Sequence, residues 1–440
     1  MNVKELIDHA PITRLQLVVI AVCFTVNMID GFDVLAIAFT AHSISDEWSM
    51  EYATLGIVFS SGLIGMTLGA MFIAPLTDII GRRTMILFSL IVISIAMAAT
   101  GVVTTIWQLV LARIITGLGI GSMLASLISM VAEYSPLRHR NFAIGFQATG
   151  YPIGATLGGF IAAWLIPEFG WRPVFFVGGV VTAAMIPVVL LFLPESLQFL
   201  TERQPKGALQ KCNKILLKLR LSELTEMPAK DHSKQVRPGV AKLLTVDRRN
   251  ATVILWLAYF MTFLTLYFVF SWIPKIVIDA GLPLEKGIYA GIAMNLGAFF
   301  GILILGYISD KKGLRPLIFW YLLFAAASMI AFGFSPAMVG LLLILSFLIG
   351  FFATGGFIGL SAVAARIYPT EIRTTGIGWA IGAGRTGAII GPYLGGVLIG
   401  LQWSTAEYFV LFAIPLVIAA FAAYSIKSPE LDVVHDSTST

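Results

Sequence analysis

Four ionisable side chains sit inside otherwise apolar runs of this 440-residue chain: Asp30 and Asp33 in the first run, Arg113 in the fourth and Arg385 in the eleventh. A charge at the centre of a bilayer costs at least ~2.5–3.5 kcal/mol on insertion scales, so such residues face a cavity or one another. Asp30 and Asp33 are three positions apart and share one helix face. Two carboxylates in a partly dry place cannot both ionise cheaply, so one of them can take up and release a proton. Arginine stays charged and grips a carboxylate through two parallel hydrogen bonds. An acid pair that loads a proton (Asp30, Asp33) and arginines that hold an organic anion (Arg113, Arg385) are the parts that proton–carboxylate co-transport requires.

The elements that must position these groups are membrane helices. The chain is 58% hydrophobic and 12% charged, against about 25% charged in soluble domains, and its apolar runs reach the length a helix needs to cross a bilayer. Spans are expected at 15–40, 52–75, 84–105, 107–133, 142–166 and 173–193, then at 251–278, 286–308, 316–334, 337–367, 376–401 and 404–426. Counting ~1.5 Å of rise per residue puts Asp30, Asp33 and Arg113 in one layer and Arg385 nearer the midplane. The first run lacks the short apolar core and small-residue cleavage site of a signal peptide, so it is read as the first span. This is read as an all-α membrane protein of twelve transmembrane helices.

The loops give an orientation. With the N-terminus inside, 24 of the 29 Lys and Arg residues fall on the inner side, and positive loops mark the cytoplasmic face, so both termini are expected there. The pI near 9.1 then reflects inner loops rather than a nucleic-acid partner. Cys23 lies in a span and Cys212 in an inner loop, which excludes a disulfide between them. All five histidines are assigned to tails or loops, and no span pairs Ser with His or gathers metal ligands. The chain is therefore not read as an enzyme, and neither a cofactor nor a metal is expected.

The sequence also repeats. Asp78-Ile-Ile-Gly81-Arg82-Arg83 after span 2 recurs as Asp310-Lys-Lys-Gly313-Leu-Arg315 after span 8, a displacement of 232, and Pro136, Arg140 and Gly145 recur as Pro369, Arg373 and Gly378 at 233. Two six-span halves in the same orientation, residues 1–193 and 251–426, flank a cytoplasmic linker at 194–250 and precede a tail at 427–440. A parallel repeat of this kind belongs to carriers that rock around a central site. The intramembrane charges do not repeat, since displacement by 233 puts Arg113 on Ser346 and takes Arg385 back to Pro152. Permanent pairing of Asp30 or Asp33 with Arg113 as mere scaffold is the structural alternative, and a scaffold would more readily be symmetric. Gln147, Tyr151, Trp272 and Asn295 are the best candidates to line the ligand cavity, with Tyr267, Trp379 and Tyr393 behind them.

On these residues a resemblance can be stated. The paired loops Asp78 to Arg83 and Asp310 to Arg315 resemble the signature of the major facilitator superfamily over essentially the whole chain. Asp30-Gly-Phe-Asp33, Leu-Ala-Arg113-Ile-Ile-Thr-Gly-Leu-Gly, Pro194-Glu195-Ser196 and Tyr368-Pro-Thr-Glu-Ile-Arg373 are similar to the aromatic acid:proton symporters within it. The resemblance implies uptake of a benzoate-like or hydroxybenzoate-like acid with protons across a bacterial inner membrane, by a monomer, with Asp30 and Asp33 essential. It assigns the conformational cycle to the loop residues Asp78, Gly81, Arg82 and Arg83, echoed by Asp310, Gly313 and Arg315. Ile79 and Ala74 depart from the usual loop. The stretch Gly387 to Gly396 is spelled like an antiporter motif but stands in span 11, where it is read as helix packing. A proton-driven drug exporter on the same scaffold is the alternative, with a channel or a sensor further off.

Overall fold

The computed structural model describes residues 3–8, 11–228, 243–245, 248–368 and 372–426. The tail expected at 427–440, most of the basic end of the linker and Pro369 to Glu371 lie outside the described residues. Helices apolar on nearly every side satisfy their own backbone groups, which a hydrocarbon layer requires. Among the described residues, 11 helices are long and apolar enough to cross a membrane: Arg14–Glu47, Tyr52–Ile80, Arg82–Thr100, Ile106–Tyr134, Phe142–Phe169, Arg172–Phe192, Arg249–Asp279, Leu284–Ser309, Leu314–Phe334, Val339–Ala364 and Thr405–Ser425. The expected span 11 is the 28-residue helix Arg373–Gly400, made less apolar by its glycines and Arg385. In chain order these helices are spans 1 to 12.

One expected loop turns out to be helix. Span 1 runs on to Glu47, so His42 and Asp46 stand on its last turns, where Ala41 and Ile44 are fully buried; protein packing sustains the helix beyond the apolar run. Lys275 lies near the outer end of the span expected at 251–278 and is 4% exposed. Span 2 is irregular at its inner end, passing through a π turn at Gly69–Ile73 and a 3-10 turn at Ala74–Leu76 before Thr77–Ile80. Span 8 is continuous to Lys312. The linker carries two short helices, Leu197–Arg203 and Ala208–Lys218, and Ala208, Cys212, Ile215 and Leu216 form the buried face of the second.

The helices gather into two compact units. One comprises Met1–Val34, Ile64–Ala155 and Arg172–Val236; the other comprises Leu35–Leu63, Thr156–Trp171 and Arg237–Thr440. Span 1 passes from the first to the second directly after Val34. In the first unit, Gly31 abuts the backbone of Tyr151, so spans 1 and 5 touch main chain to main chain. In the second, Gly387 and Gly391 bring span 11 against the carbonyls of Phe260 and Leu264 in span 7, which is helix packing of the kind read from the sequence.

Candidate functional site

The first unit brings three of the four intramembrane charges together. Asp30 and Asp33 are each 1% exposed and Arg113 is 3% exposed. Thr182 of span 6 donates its hydroxyl proton to Asp33 Oδ2 at 3.2 Å, while Asp33 Oδ1 has no hydrogen-bond partner among the described residues. Arg113 is the charged neighbour of Asp33, with Asp30 beside it on the same helix. The guanidinium turns toward spans 3 and 6: Nη1 donates to Met97 Sδ at 3.6 Å, and Cζ lies 5.6 Å from the Phe175 ring centroid. Among the described residues Asp33 and Arg113 form no contact ion pair, which requires about 4 Å or less between N and O. The arrangement is thus a buried acid within the field of a fixed cation, not a locked salt bridge.

The other cavity candidates are placed singly. Gln147 is buried, and its carbonyl accepts from Asn27 Nδ2 of span 1 at 2.8 Å; Tyr151 is half-buried one turn on. In the second unit Asn295 is buried, with Nδ2 donating to Gly291 O at 2.9 Å and Oδ1 without a hydrogen-bond partner. Arg385 is half-buried and makes no hydrogen bond or ion pair among the described residues. Trp272 is 0% exposed. Its Nε1 donates to Pro392 O at 2.8 Å, and its ring meets Phe59 edge-on, so it acts here as packing.

Trp272 belongs to a clasp within the second unit. Asp279 of span 7 accepts from Lys275 at 2.9 Å and from the Tyr52 hydroxyl at 3.2 Å, and stands 3.9 Å from His42 Nδ1. Ser60 of span 2 donates to Ile389 O of span 11 at 2.7 Å. The ends of spans 1 and 2 that the charge bias assigns to the outside are thereby tied to spans 7 and 11.

The signature loop after span 2 is a dense ionic network. Gly81 takes φ 96°, which side chains rarely adopt, and a Cβ there would meet the Glu195 carboxylate. Arg82 forms an ion pair with Glu133 and donates to Ser196 Oγ at 3.3 Å and Gln198 Oε1 at 3.1 Å. The Arg83 amide donates to Glu195 Oε1 at 3.0 Å, its guanidinium donates to Leu190 O, and Ser196 donates to Glu133 at 2.8 Å. Asp78 is exposed, and its carbonyl accepts from Arg203 at 2.8 Å. In the loop after span 8, Gly313 repeats the turn at φ 77°, and Arg315 donates to Ile426 O at 3.2 Å and covers the Tyr424 ring. The side chain of Asp310 lies outside the described residues.

Sequence reasoning does not place Glu133, Glu195 and Ser196 in the loop network, although Glu133 stands out as an acid at the inner end of span 4 and Pro194-Glu195-Ser196 as a distinctive run. Phe175, Gly178 and Thr182 line the charge pair from span 6, where a lone hydroxyl and a glycine in an apolar run gave too little to single them out.

An all-helical membrane bundle with a parallel internal repeat, glycine-turned loops between spans and a buried acid–arginine pair defines a polytopic carrier. The Major Facilitator Superfamily model matches residues 20–338 and 293–438, and the chain belongs to that superfamily; it is a membrane transporter and not an enzyme. It is 31% identical to the gallate transporter of Pseudomonas putida over 422 residues, covering 96% of this chain and 94% of the relative. It is 31% identical to the 4-hydroxybenzoate transporter PcaK of Acinetobacter baylyi, covering 96% and 94%, and 28% identical to that organism's benzoate transport protein, covering 97% and 93%. Among solved structures, the inward open xylose transporter XylE from E. coli superposes with a TM-score of 0.73 at 18% identity, covering 94% of this chain and 96% of that one.

Proposed function

We propose that this chain imports an aromatic carboxylate of the benzoate or hydroxybenzoate class together with protons, by alternating access across a bacterial inner membrane. It works as a monomer with both termini cytoplasmic, its halves 1–193 and 251–426 moving about the linker 194–250. The observation that carries proton coupling is the acid–arginine pair: Asp33 is buried, is held through one oxygen and lies near Arg113 without contact. Such a carboxylate can accept a proton without breaking a salt bridge, and Arg113 favours its charged form when the proton leaves. Arg113 acts as counter-charge rather than ligand anchor, because its guanidinium is engaged with Met97 and Phe175. Arg385, half-buried and without an acidic partner, is the group that binds the substrate carboxylate. Asn295 of the same unit, whose buried Oδ1 has no hydrogen-bond partner among the described residues, supplies a polar contact, and Gln147 and Tyr151 are proposed as polar residues of the transport pathway in the first unit. Full-length similarity to gallate, 4-hydroxybenzoate and benzoate carriers supports the substrate class.

Uptake of labelled benzoate, 4-hydroxybenzoate and gallate into proteoliposomes, with and without an inward proton gradient, tests this. Saturable accumulation of at least one acid that requires the gradient is expected. Extrusion of organic cations driven by the gradient, with no acid taken up, would identify an exporter instead; non-saturating flux would identify a channel.

A further inference from the structure

Span 6 contributes nothing ionisable to the charged layer of the first unit, yet one stripe of it runs along that layer. Phe175, Gly178 and Thr182 fall at i, i+3 and i+7 and so share a helix face. Phe175 lies under the Arg113 guanidinium. At Gly178 an added Cβ would stand 3.1 Å from Asp33 Oδ1 and would press on Met97, so the missing side chain is what lets span 6 approach that oxygen closely. Thr182 donates to the other carboxylate oxygen, Oδ2.

The direction of the Thr182 hydroxyl is informative. A threonine within a helix commonly returns its proton to the carbonyl four residues back, and Thr40, Thr100 and Thr116 do so here, to Ala36, Ala96 and Ala112. A hydroxyl has one proton to give, and Thr182 gives it to Asp33. A hydrogen bond donated to a carboxylate favours the ionised form. The charged groups facing Asp33 are Asp30 on its own helix and Arg113 of span 4. Met97 of span 3 and the stripe on span 6 do not titrate, and span 5 meets this helix through backbone at Gly31.

We propose that Thr182 is a positioning residue for proton exchange at Asp33: it holds Oδ2, leaves Oδ1, which has no hydrogen-bond partner among the described residues, as the atom that takes and releases the proton, and span 6 thereby sets the pH at which the carrier loads. The step moves a proton alone, from water on one side to Oδ1 and from Oδ1 to water on the other. The inference rests on the proton-coupled reading above.

The test is the pH at which gradient-driven uptake of 4-hydroxybenzoate is half-maximal, or benzoate uptake if that is the better substrate, measured for Thr182→Val and Thr182→Ser beside Asp33→Asn. Counterflow exchange of labelled acid reports a folded carrier. Removing the donor destabilises the carboxylate, so the valine variant should hold its proton to higher pH and move the midpoint up by about one pH unit. Serine, which keeps the hydroxyl, should return the midpoint to the wild-type value. If valine destroys exchange as well, Thr182→Ala takes its place and must show the same upward shift. A wild-type midpoint in the variants lacking the hydroxyl, or the same shift in serine, overturns the proposal. If Asp33→Asn still concentrates the acid in a proton-dependent way, the coupling reading itself falls and this inference with it. Loss of accumulation in Asp33→Asn alongside unmoved Thr182 midpoints removes the positioning role alone.

Discussion

Carried 233 positions along the chain, Asp30, Asp33 and Arg113 of the first repeat become Phe263, Leu266 and Ser346 of the second. Both sets are buried, so the same layer is equally dry in the two halves and chemically opposite. Part of its frame recurs: Phe175 corresponds to Tyr408 at 233 and Met97 to Met329 at 232, whereas Gly178 and Thr182 become Leu411 and Pro415. What packing needs is therefore shared, and what a titrating carboxylate needs is found once. The second repeat shows that the fold buries this layer without a charge, so the acid and arginine of the first are kept at a cost in burial that packing does not explain.

Making the first repeat resemble the second should have the largest effect. Asp33→Asn removes the proton carrier while keeping shape, and should abolish uphill accumulation while leaving exchange of labelled for unlabelled acid. About 100 mV is worth ~2.3 kcal/mol per charge, or roughly 50-fold accumulation per net charge, so the variant should fall from strong concentration to equilibration. Full accumulation in the variant would make the difference between the repeats ornamental.

Removing the cation should be felt in stability. Arg113→Leu leaves Asp33 buried without its counter-charge and should cost about 2 kcal/mol, below the ~3–5 kcal/mol of a contacting buried pair. The double variant with Asp33→Asn should recover most of that loss. Thermal unfolding of the purified proteins measures both, and a double variant no better than the single would show that the two groups are not a pair.

A smaller effect is expected at Arg385. Arg385→Lys keeps the charge but not the planar fork, and should lower uptake efficiency about tenfold while leaving the proton-to-substrate ratio unchanged. An unimpaired lysine variant would reduce Arg385 to charge balance.

The smallest contrast lies between the two signature loops. The first is tied by Arg82, Glu133, Glu195 and Ser196, and in the second Arg315 donates to the Ile426 carbonyl and covers the Tyr424 ring. Glu195→Gln should slow transport several-fold with binding intact, and Arg315→Lys should do less, as judged by uptake rate against the substrate Kd. In the linker, burial pushes the Cys212 thiol up to about 11. Because the thiolate is the reactive form, maleimide labelling of Cys212 should be slow near pH 7 and should rise only as the pH approaches that value.

The spans were legible because lipid imposes an apolar length, and the repeat because the Asp-x-x-Gly loops repeat their letters. Asp30, Asp33, Arg113 and Arg385 were legible because charge is conspicuous against hydrocarbon. What escaped was whatever looks ordinary in an apolar run. Thr182 and Gly178 differ little in hydropathy from their neighbours, and only the fold reveals where a hydroxyl points or which atom fills a gap. His42 reads as a loop residue because a helix buried in protein continues past the point where lipid would require apolar side chains. Trp272 was chosen as a ring contact for its size, and that same size makes it a plug in the clasp.

The most direct test of the central claim, that Asp33 carries the proton moved with the acid, is a flux measurement without an imposed proton gradient. Proteoliposomes loaded with a pH-sensitive dye are given an inward gradient of 4-hydroxybenzoate, or of benzoate if that is the better substrate, and the interior pH is followed beside uptake of the label. The account predicts acidification in step with uptake for the wild type, and for Asp33→Asn no acidification although labelled acid still exchanges. Acidification by the Asp33→Asn carrier at the wild-type ratio, or wild-type uptake with no proton entry, would contradict it.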